Sequence, residues 1–306
     1  MYFFTQEEHE KLVRFHLPRA REHPVADDLR GWSWAHPPLE PIYDLRLGVS
    51  EVASLYCQTR RDCYLRRVQN VQAPPNLPMI YGSVFHALLC DFVIRSKRAL
   101  YVHGARIDAV LADVGPISAE VLNRFRSTLL PEQWPDVAQK AEILHQYEFR
   151  SLGARLQEAL SHQPRVGIDA LVSLVLPVVV EQKLDGTRLG LSPHLSCDAV
   201  HLGESVLIDL KFGPKRDFHI LGPTGYALVL ESLYEYPINI GCVVYVNFGG
   251  DGLRIEKEFK PLTDEVRSAF IEERDQKMRM IYEEIDPGLA DLCYEICPFR
   301  PECRGR

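Results

Sequence analysis

The sequence lacks the features that would assign it to a membrane, secreted or repetitive class. Its 306 residues contain no low-complexity tract and no internal repeat. The longest apolar stretch, residues 171–180, is interrupted by Ser173 and Pro177 and is too short to span a bilayer. The N-terminus turns acidic at once, without the basic segment and apolar run of a secretory signal. We therefore expect a cytoplasmic globular protein with no membrane partner.

The sequence also has fewer basic residues than acidic ones. The chain has 35 Lys and Arg against 42 Asp and Glu, a net charge of −7 at pH 7. A surface of that sign does not attract nucleic acid as a whole, so any nucleic-acid contact must be local. The candidates for DNA contact come from two basic clusters and are Arg60, Arg61, Lys215 and Arg216. Ordinary solvated surface charge is the competing interpretation of each cluster.

What the chain does contain is a group of cysteines at one end. Of its eight cysteines, Cys293, Cys297 and Cys303 fall within the tail LCYEICPFRPECRGR. Three thiols so close together fit metal binding in a reducing compartment better than a disulfide framework. Structural zinc sites and iron–sulfur clusters usually take four ligands, so the tail is one ligand short. The cysteines in apolar contexts, predicted to be core residues, are Cys90, Cys197 and Cys242.

Periodicity and turn signals predict a mixed α/β chain. Thr5 and Glu8 form a capping box that opens a helix to about residue 23, and residues 31–45 form an irregular connector. A helix capped by Ser50 is predicted to carry Cys57 and the arginines after it. Further helices are predicted over residues 82–96, 117–130, 135–161, 218–235 and 263–285. The β-rich runs, most of them expected to form an antiparallel meander, cover residues 171–184, 187–191, 195–201, 205–212, 239–247 and 252–258.

Two of these strands carry charged residues beside an apolar core. Asp198 lies on one strand, and Asp209 and Lys211, two residues apart on the next, point to the same face. Unpaired charge beside a core is costly, so the set needs a stabilising partner. Two carboxylates suit Mg²⁺ or Mn²⁺, which activates water and stabilises charge on a phosphate, while the lysine orients the nucleophile. A salt bridge between an aspartate and Lys211 is the alternative.

A histidine upstream adds to this pattern. Gly82 precedes His86 by one turn of an apolar predicted helix. Taken alone, such a histidine is more often a hydrogen-bonded core residue than a metal ligand. The order along the chain is G-x-x-x-H, then an aspartate, then D-x-K, then Tyr226. This order resembles the RecB-type branch of the PD-(D/E)xK nuclease superfamily.

The cysteines extend the resemblance. The segment YCQTRRDCYLRR supplies Cys57 upstream of these motifs, and the tail supplies three cysteines downstream. Together with LRGWSWAHPPL and LGVSEVASLYCQTRRD, this pattern resembles the fourth core family of CRISPR-associated proteins. These are RecB-like exonucleases with an iron–sulfur cluster, and the similarity is to the longer archaeal form that accompanies type I-A systems. It covers nearly the whole chain and is best supported over residues 47–306.

The resemblance implies a fold and a division of the chain. The fold would be a PD-(D/E)xK, restriction-endonuclease-like α/β core with a mixed central sheet. A helical extension and connector would occupy residues 1–46. The nuclease domain would occupy residues 47–306 and be closed by an iron–sulfur clasp between its first helix and the tail.

The resemblance also implies residue roles. The ligands of the catalytic Mn²⁺ or Mg²⁺ would be His86, Asp198, Asp209 and the backbone carbonyl of Leu210. Lys211 would be the catalytic lysine, and Glu181 and Tyr226 would be supporting groups. The ligands of the iron–sulfur cluster would be Cys57, Cys293, Cys297 and Cys303.

The implied activity is that of a metal-dependent DNA exonuclease in CRISPR adaptation. It would process the ends of prespacers before their integration as spacers. Its partners would be DNA with single-stranded or frayed ends and the CRISPR integrase complex. The alternative is a non-catalytic DNA-binding or scaffold subunit of that complex, with a purely structural cysteine clasp.

Three features depart from the family pattern. The family usually has Gln four residues before the tyrosine, where this chain has Gly222. The tail spacing C-x3-C-x5-C leaves both [4Fe–4S], which the resemblance favours, and [2Fe–2S] open, with zinc as the alternative to either. Cys63 is a rival to Cys57. Six residues apart on one helix, the two would point in roughly opposite directions, and Cys57 is preferred.

Overall fold

The structure is a computed structural model, and it describes residues 1–250 and 252–304. The strands are β1 (Val178–Leu184), β2 (Leu195–His201), β3 (Val206–Phe212), β4 (Ile240–Gly249) and β5 (Gly252–Pro261). The helices are α1 (Gln6–Lys11), α2 (Leu17–Glu22), α3 (Val49–Ala53), α4 (Arg61–Arg67), α5 (Leu77–His103), α6 (Ile107–Val114), α7 (Ala119–Arg124), α8 (Trp134–His162), α9 (Ile168–Val175), α10 (Leu221–Tyr234), α11 (Asp264–Tyr282) and α12 (Arg300–Arg304). A π-helical segment, Leu12–His16, joins α1 to α2.

The five strands form one mixed sheet in the order β1-β2-β3-β4-β5. β3 and β4 pair in parallel, and the other neighbours pair antiparallel. A parallel pair needs a crossover connection, which α10 supplies between β3 and β4. The expected mixed α/β class is confirmed.

Alternation along β3 separates two cores. Ile208 and Leu210 pack into a core that includes the buried face of α5. Leu207 packs into a second core that includes α10 and α11. Because successive side chains point to opposite faces of a strand, Asp209 and Lys211 belong to the face of Leu207 and α10.

The predicted strand over residues 171–184 is wrong in its first half. Residues Ile168–Val175 form α9, and β1 begins only at Val178. The apolar residues Leu171, Val172 and Val175 are buried at spacings that fit a helical turn. Pro177 lacks the amide hydrogen that a continuing helix would need, so the chain changes to a strand after it.

The predicted strand over residues 187–191 is also wrong. Thr187–Leu189 form a 3₁₀ turn, and Leu191 makes a single bridge to Leu47. The turn begins where Asp185 Oδ1 accepts a hydrogen bond of 2.9 Å from the Thr187 amide. Such a side-chain contact with the backbone competes with strand pairing.

The predicted helix from Ser50 through Cys57 is wrong as well. The N-cap of α3 is Gly48, whose amide donates to Glu51 Oε2 at 2.8 Å. This helix ends at Ala53, and Cys57 lies in the loop before α4. The left-handed backbone of Arg60, with φ of 64°, separates that loop from α4.

The remaining predicted helices and strands are confirmed with shifted ends. The helix predicted over residues 82–96 is longer, because Asn76 caps it at the Met79 amide, 3.0 Å away. By length and composition this helix, α5, could cross a membrane. A core helix passes the same test, and α5 buries Val84 and Phe85 completely. The expectation of no membrane partner stays a prediction, as does the domain boundary at residue 46.

A buried carboxylate joins α10 to three other segments. Glu231 accepts hydrogen bonds from both terminal nitrogens of Arg267 on α11, at 2.7 and 2.9 Å. It also accepts from Arg30 at 2.8 Å and from the Gly31 amide at 2.9 Å. The amide of Ile238, two residues before β4, donates to it at 2.9 Å. Glu231 and Arg267 are both 0% exposed.

We expect Arg267→Ala to destabilise the protein by about 3–5 kcal/mol, because it leaves a buried carboxylate short of a partner. Urea unfolding measures the change. The matched control is Arg279→Ala, which removes an exposed ion pair with Glu283 on the same helix and should leave stability unchanged. Equal effects of the two substitutions would contradict a central role for Glu231.

Candidate functional site

Two carboxylates meet where β2 and β3 diverge. The last paired residues are Ala199 and Ile208, and Asp198 and Asp209 come directly beyond them. The amide of Leu210 donates a hydrogen bond of 2.8 Å to Asp198 Oδ2. The end of strand pairing therefore leaves a backbone donor free to hold the Asp198 side chain.

Lys211 faces Asp209, as the two-residue spacing predicted. Its Nζ lies 2.7 Å from Asp209 Oδ2, which is the salt bridge that sequence analysis weighed against a metal site. The contact is poorly aligned, so Oδ2 accepts no hydrogen bond within residues 1–250 and 252–304. The Asp209 side chain is only 10% exposed. A buried carboxylate oxygen with a nearby charge but no aligned donor is suited to a metal ion.

Burial raises the pKa of Asp209 to about 6, and the charge of Asp198 adds to that effect while Lys211 opposes it. For Lys211, burial lowers the pKa, but the charges of the two aspartates outweigh it and leave a net increase. Lys211 therefore stays charged. The ionised form of its partner Asp209 is disfavoured by burial.

His86 on α5 completes this arrangement. Its Nδ1 lies 3.8 Å from Asp198 Oδ1 and 3.0 Å from the Tyr2 hydroxyl, and its Nε2 contacts Glu181 Oε1. Burial lowers the pKa of His86, but hydrogen bonds with Cys90 and Glu181 and the charge of Asp198 raise it to about 11. The surroundings of this imidazole thus strongly favour a positive charge.

Glu181, expected only as a supporting group, contacts His86 directly through Oε1. Its hydrogen bond with His86 is the main cause that lowers the pKa of Glu181 to about 2, against the effect of burial. Its other oxygen accepts from the Ser196 hydroxyl at 2.7 Å and from Lys183 at 3.2 Å. Its backbone φ is 52°, a left-handed value that interrupts the β1–β2 pairing.

Helix α10 brings Gly222 and Tyr226 to the same region. A Cβ atom on Gly222 would lie 3.3 Å from Asp209 Oδ1, so a side chain at this position would crowd that carboxylate. Burial, followed by the charges of Asp198 and Asp209, raises the pKa of Tyr226. Tyr226 is therefore a neutral hydroxyl near the two acids.

The residues present fit a hard divalent cation. His86, Asp198 and Asp209 supply imidazole and carboxylate donors, and Gly222 places no side chain against Asp209. The donors are not all equally close, however. Across residues 1–250 and 252–304, the set of three whose ligand atoms lie within 4.8 Å of one another is His86, Cys90 and Glu181.

Sequence analysis missed Cys90 and Tyr2 as neighbours of this site. Cys90 is buried, as expected, but its Sγ lies 3.4 Å from His86 Nε2. The spacing H-x-x-x-C could have shown this, because residues four apart share a helix face. Tyr2 lies 84 residues before His86, and no local sequence pattern indicates their contact.

The four cysteines expected to bind a cluster lie on two segments that contact each other. Thr59, in the loop of Cys57, donates a hydrogen bond of 2.9 Å to the Gly288 carbonyl, and Arg61 binds Asp286 through two hydrogen bonds of 2.8 Å. Burial, with a contribution from Cys293, raises the pKa of Cys297 to about 11. Over the described ranges, no three of these thiols lie within 4.8 Å of one another.

Cys63 needs a new assessment. It lies on α4 while Cys57 lies in the preceding loop, so the argument that one helix points them apart is wrong. Cys63 is buried in a small core with Phe299, against which Cys297 and Cys303 pack. It therefore lies beside the tail, and burial raises its pKa to about 11.

The predicted DNA-contacting side chains are largely engaged within the chain. Arg60 pairs with Glu273 and Arg61 with Asp286. Lys215 pairs with two carboxylates of β5, and the Arg216 guanidinium lies 5.2 Å from the Tyr294 ring. Their role in DNA contact stays a prediction.

Comparison with known proteins adds an independent result. A relative from Saccharolobus solfataricus, named CRISPR-associated exonuclease Csa1, is 29% identical over 283 residues, 91% of this chain and 92% of the relative. One of the same name from Thermoproteus tenax is 30% identical over 282 residues, 92% of each chain. These relatives support a nuclease role in a CRISPR system. A family model described as CRISPR-associated exonuclease Csa1 matches residues 1–306, and the chain belongs to that family. The resemblance inferred from the sequence is confirmed.

We expect Asp209→Asn to stabilise the metal-free protein, and more at pH 8 than at pH 5. The folded pKa is raised from 3.8 to about 6, so the favourable contribution of the protonated carboxyl is complete below 3.8 and is lost as pH rises through 6. The gain should grow by roughly 1–2 kcal/mol between the two pH values, measured by urea unfolding in chelator. Asp169→Asn, at an exposed position, controls for the lost charge. A gain independent of pH would exclude burial of the charged carboxylate as its cause.

Proposed function

We propose that this chain is a metal-dependent DNA exonuclease of CRISPR adaptation. It processes the ends of prespacers before they are integrated as spacers. Its substrate is DNA with single-stranded or frayed ends, and its partner is the integrase complex. The observation that carries the proposal is the meeting of Asp198, Asp209 and Lys211 at the point where β2 and β3 diverge. Membership of an exonuclease family gives this arrangement a matching chemistry.

The fold that we propose is a RecB-like PD-(D/E)xK core within residues 47–306, with residues 1–46 as an extension. Three features support it. The sheet is mixed, α5 carries the upstream histidine, and α10 follows the D-x-K strand. This order is consistent with a histidine, two carboxylates, a lysine and a tyrosine around the point where β2 and β3 diverge.

The residues of the site have separate tasks. His86, Asp198, Asp209 and the Leu210 carbonyl would hold Mn²⁺ or Mg²⁺. That ion, when bound, lowers the pKa of a water molecule and stabilises negative charge on the scissile phosphate. The Leu210 amide fixes the orientation of Asp198. The charged Lys211 orients the nucleophile and offsets charge on the phosphate oxygens, and Tyr226 presents a neutral hydroxyl beside the acids.

The cysteine clasp has a structural role in this proposal. Cys57, Cys293, Cys297 and Cys303 would hold an iron–sulfur cluster, with [4Fe–4S] favoured over [2Fe–2S] and zinc as the alternative. The contacts of Thr59 and Arg61 with Gly288 and Asp286, just before the tail, support a clasp at this place. A metal bound to both segments would add to folding stability, because the unfolded chain has no preformed site.

One observation favours a second function, a non-catalytic DNA-binding or scaffold subunit of the adaptation complex. Gly222 stands where the family usually has Gln, so α10 offers no side chain beside Asp209 at that position. A side-chain amide there would supply hydrogen bonds to a substrate. Its absence weakens substrate engagement at the helix without removing the metal ligands.

We expect the protein to cleave end-labelled DNA with Mn²⁺ or Mg²⁺, and EDTA to abolish cleavage. Asp209→Ala and Lys211→Ala should each reduce the rate at least about 100-fold, since each removes a group needed for transition-state charge. Asp169→Ala, an exposed aspartate on α9, is the control and should cleave as the wild type does. Undiminished cleavage by Asp209→Ala would move the active site elsewhere. Salt-sensitive binding of DNA without cleavage would favour the scaffold function.

We expect anaerobically purified protein to be brown and to contain iron and acid-labile sulfide. Cys57→Ala should remove both, because it takes away the ligand that joins the tail to the body. Cys242→Ala, at a buried cysteine of β4, is the matched control and should retain them. Colourless protein with stoichiometric zinc would contradict the assignment of an iron–sulfur cluster. Retention of iron by Cys57→Ala together with its loss in Cys63→Ala would assign the fourth ligand to Cys63.

A further inference from the structure

A second set of metal donors shares one residue with the proposed nuclease site. His86 Nε2, Cys90 Sγ and Glu181 Oε1 lie within 4.8 Å of one another. Sγ is 3.4 Å from Nε2 and 4.0 Å from Oε1. A tetrahedral zinc ion, with bonds of roughly 2.0–2.3 Å, separates its donors by roughly 3.3–3.7 Å. To admit such an ion, the His86–Glu181 contact must widen and the Cys90–Glu181 separation must shorten slightly.

The backbone holds these donors in place. His86 and Cys90 are four residues apart on α5, so their side chains share one face of a long helix. Glu181 reaches them because its left-handed φ of 52° interrupts the pairing of β1 with β2. A strained backbone of this kind persists where the surrounding structure requires it, and such positions cluster at functional sites.

Tyr2 gives this set an outer partner. Its hydroxyl oxygen lies 3.0 Å from His86 Nδ1 and 4.0 Å from Cys90 Sγ, and the residue is buried. A histidine that binds a metal through one ring nitrogen usually donates a hydrogen bond from the other. With the Nδ1 hydrogen donated to Tyr2, loss of the Nε2 proton leaves a lone pair that faces Cys90 and Glu181.

We propose that His86, Cys90 and Glu181 form a zinc site whose occupancy inhibits the nuclease. A thiolate favours Zn²⁺ over Mg²⁺ or Mn²⁺, which prefer oxygen donors. Zn²⁺ displaces the Cys90 thiol proton and the His86 Nε2 proton to solvent and takes the three donors, with water in the fourth position. The binding site stands on its own geometry. The inhibitory role rests on the proposed function. Zinc bound at Nε2 would keep His86 from binding the catalytic metal ion together with Asp198.

Metal titration of the full chain tests the binding site without any activity measurement. Co²⁺ serves as a coloured probe, and Zn²⁺ is then added to displace it. We expect wild type and Cys242→Ala to show a stronger sulfur-to-cobalt absorption band than Cys90→Ala, and Zn²⁺ to remove the difference. The clasp cysteines are the same in all three proteins, so the difference reports Cys90. Equal spectra in all three would overturn the site.

Tyr2→Phe provides a second variant that keeps every donor and removes only one hydroxyl. We expect it to weaken cobalt binding at this site by about 10-fold to 100-fold, the usual effect of losing an outer partner. Unchanged affinity would contradict the arrangement of Tyr2, His86 and Cys90 proposed here. Circular dichroism and thermal unfolding establish that each variant is folded before titration.

Cleavage assays then separate the zinc site from the nuclease function. With Mn²⁺ present, Zn²⁺ should inhibit the wild type, and the inhibition constant should rise at least about 10-fold in Cys90→Ala. Equal inhibition of both proteins would overturn the inhibitory role. A protein that cleaves no DNA but retains the cobalt site would support the zinc site and count against the nuclease.

Discussion

The buried carboxylate of Glu231 holds together the segments on which the site depends. It binds Arg267 of α11, Arg30 and Gly31 of the connector, and the chain entering β4. Gly31 fits because a Cβ there would lie only 2.0 Å from a carbonyl oxygen of α10. These contacts hold α10, the crossover from β3 to β4, against α11 and the connector. They support the parallel pairing of the two strands, and Asp209 lies within β3, just beyond the end of its pairing with β2.

The site beside α10 has the opposite character. Glu231 is buried with its hydrogen bonds complete, whereas Asp209 is buried with an ion pair that is poorly aligned and a neighbouring acid that repels it. The fold therefore stabilises one carboxylate fully and leaves another in need of positive charge. The surroundings of His86, formed by Asp198, Glu181 and the Cys90 thiol, also favour a positive charge at this place. Such imbalance is expected where a cation or a substrate completes the structure.

Sequence reasoning succeeded where the interactions are local. The two-residue spacing of Asp209 and Lys211 specifies a shared strand face, and the capping box of Thr5 and Glu8 is present as hydrogen bonds of 3.2 and 2.8 Å. It failed where a tertiary contact overrides propensity. The apolar run before Pro177 has the composition of a strand, yet its residues pack as a helix. Cys57 sits outside a helix because Arg60 takes a left-handed backbone conformation.

The sequence by itself determined the mixed α/β class, the motif order that identifies the family, and the pairing of a lysine with a carboxylate. These depend on residue type and spacing, which are carried by adjacent positions. Only the tertiary structure decided that Tyr2 meets His86, that Glu181 contacts it directly, and that the segment just before the tail lies against the Cys57 loop. Contacts between residues some 80 to 230 positions apart depend on how helices and strands pack. No short stretch of sequence encodes that geometry.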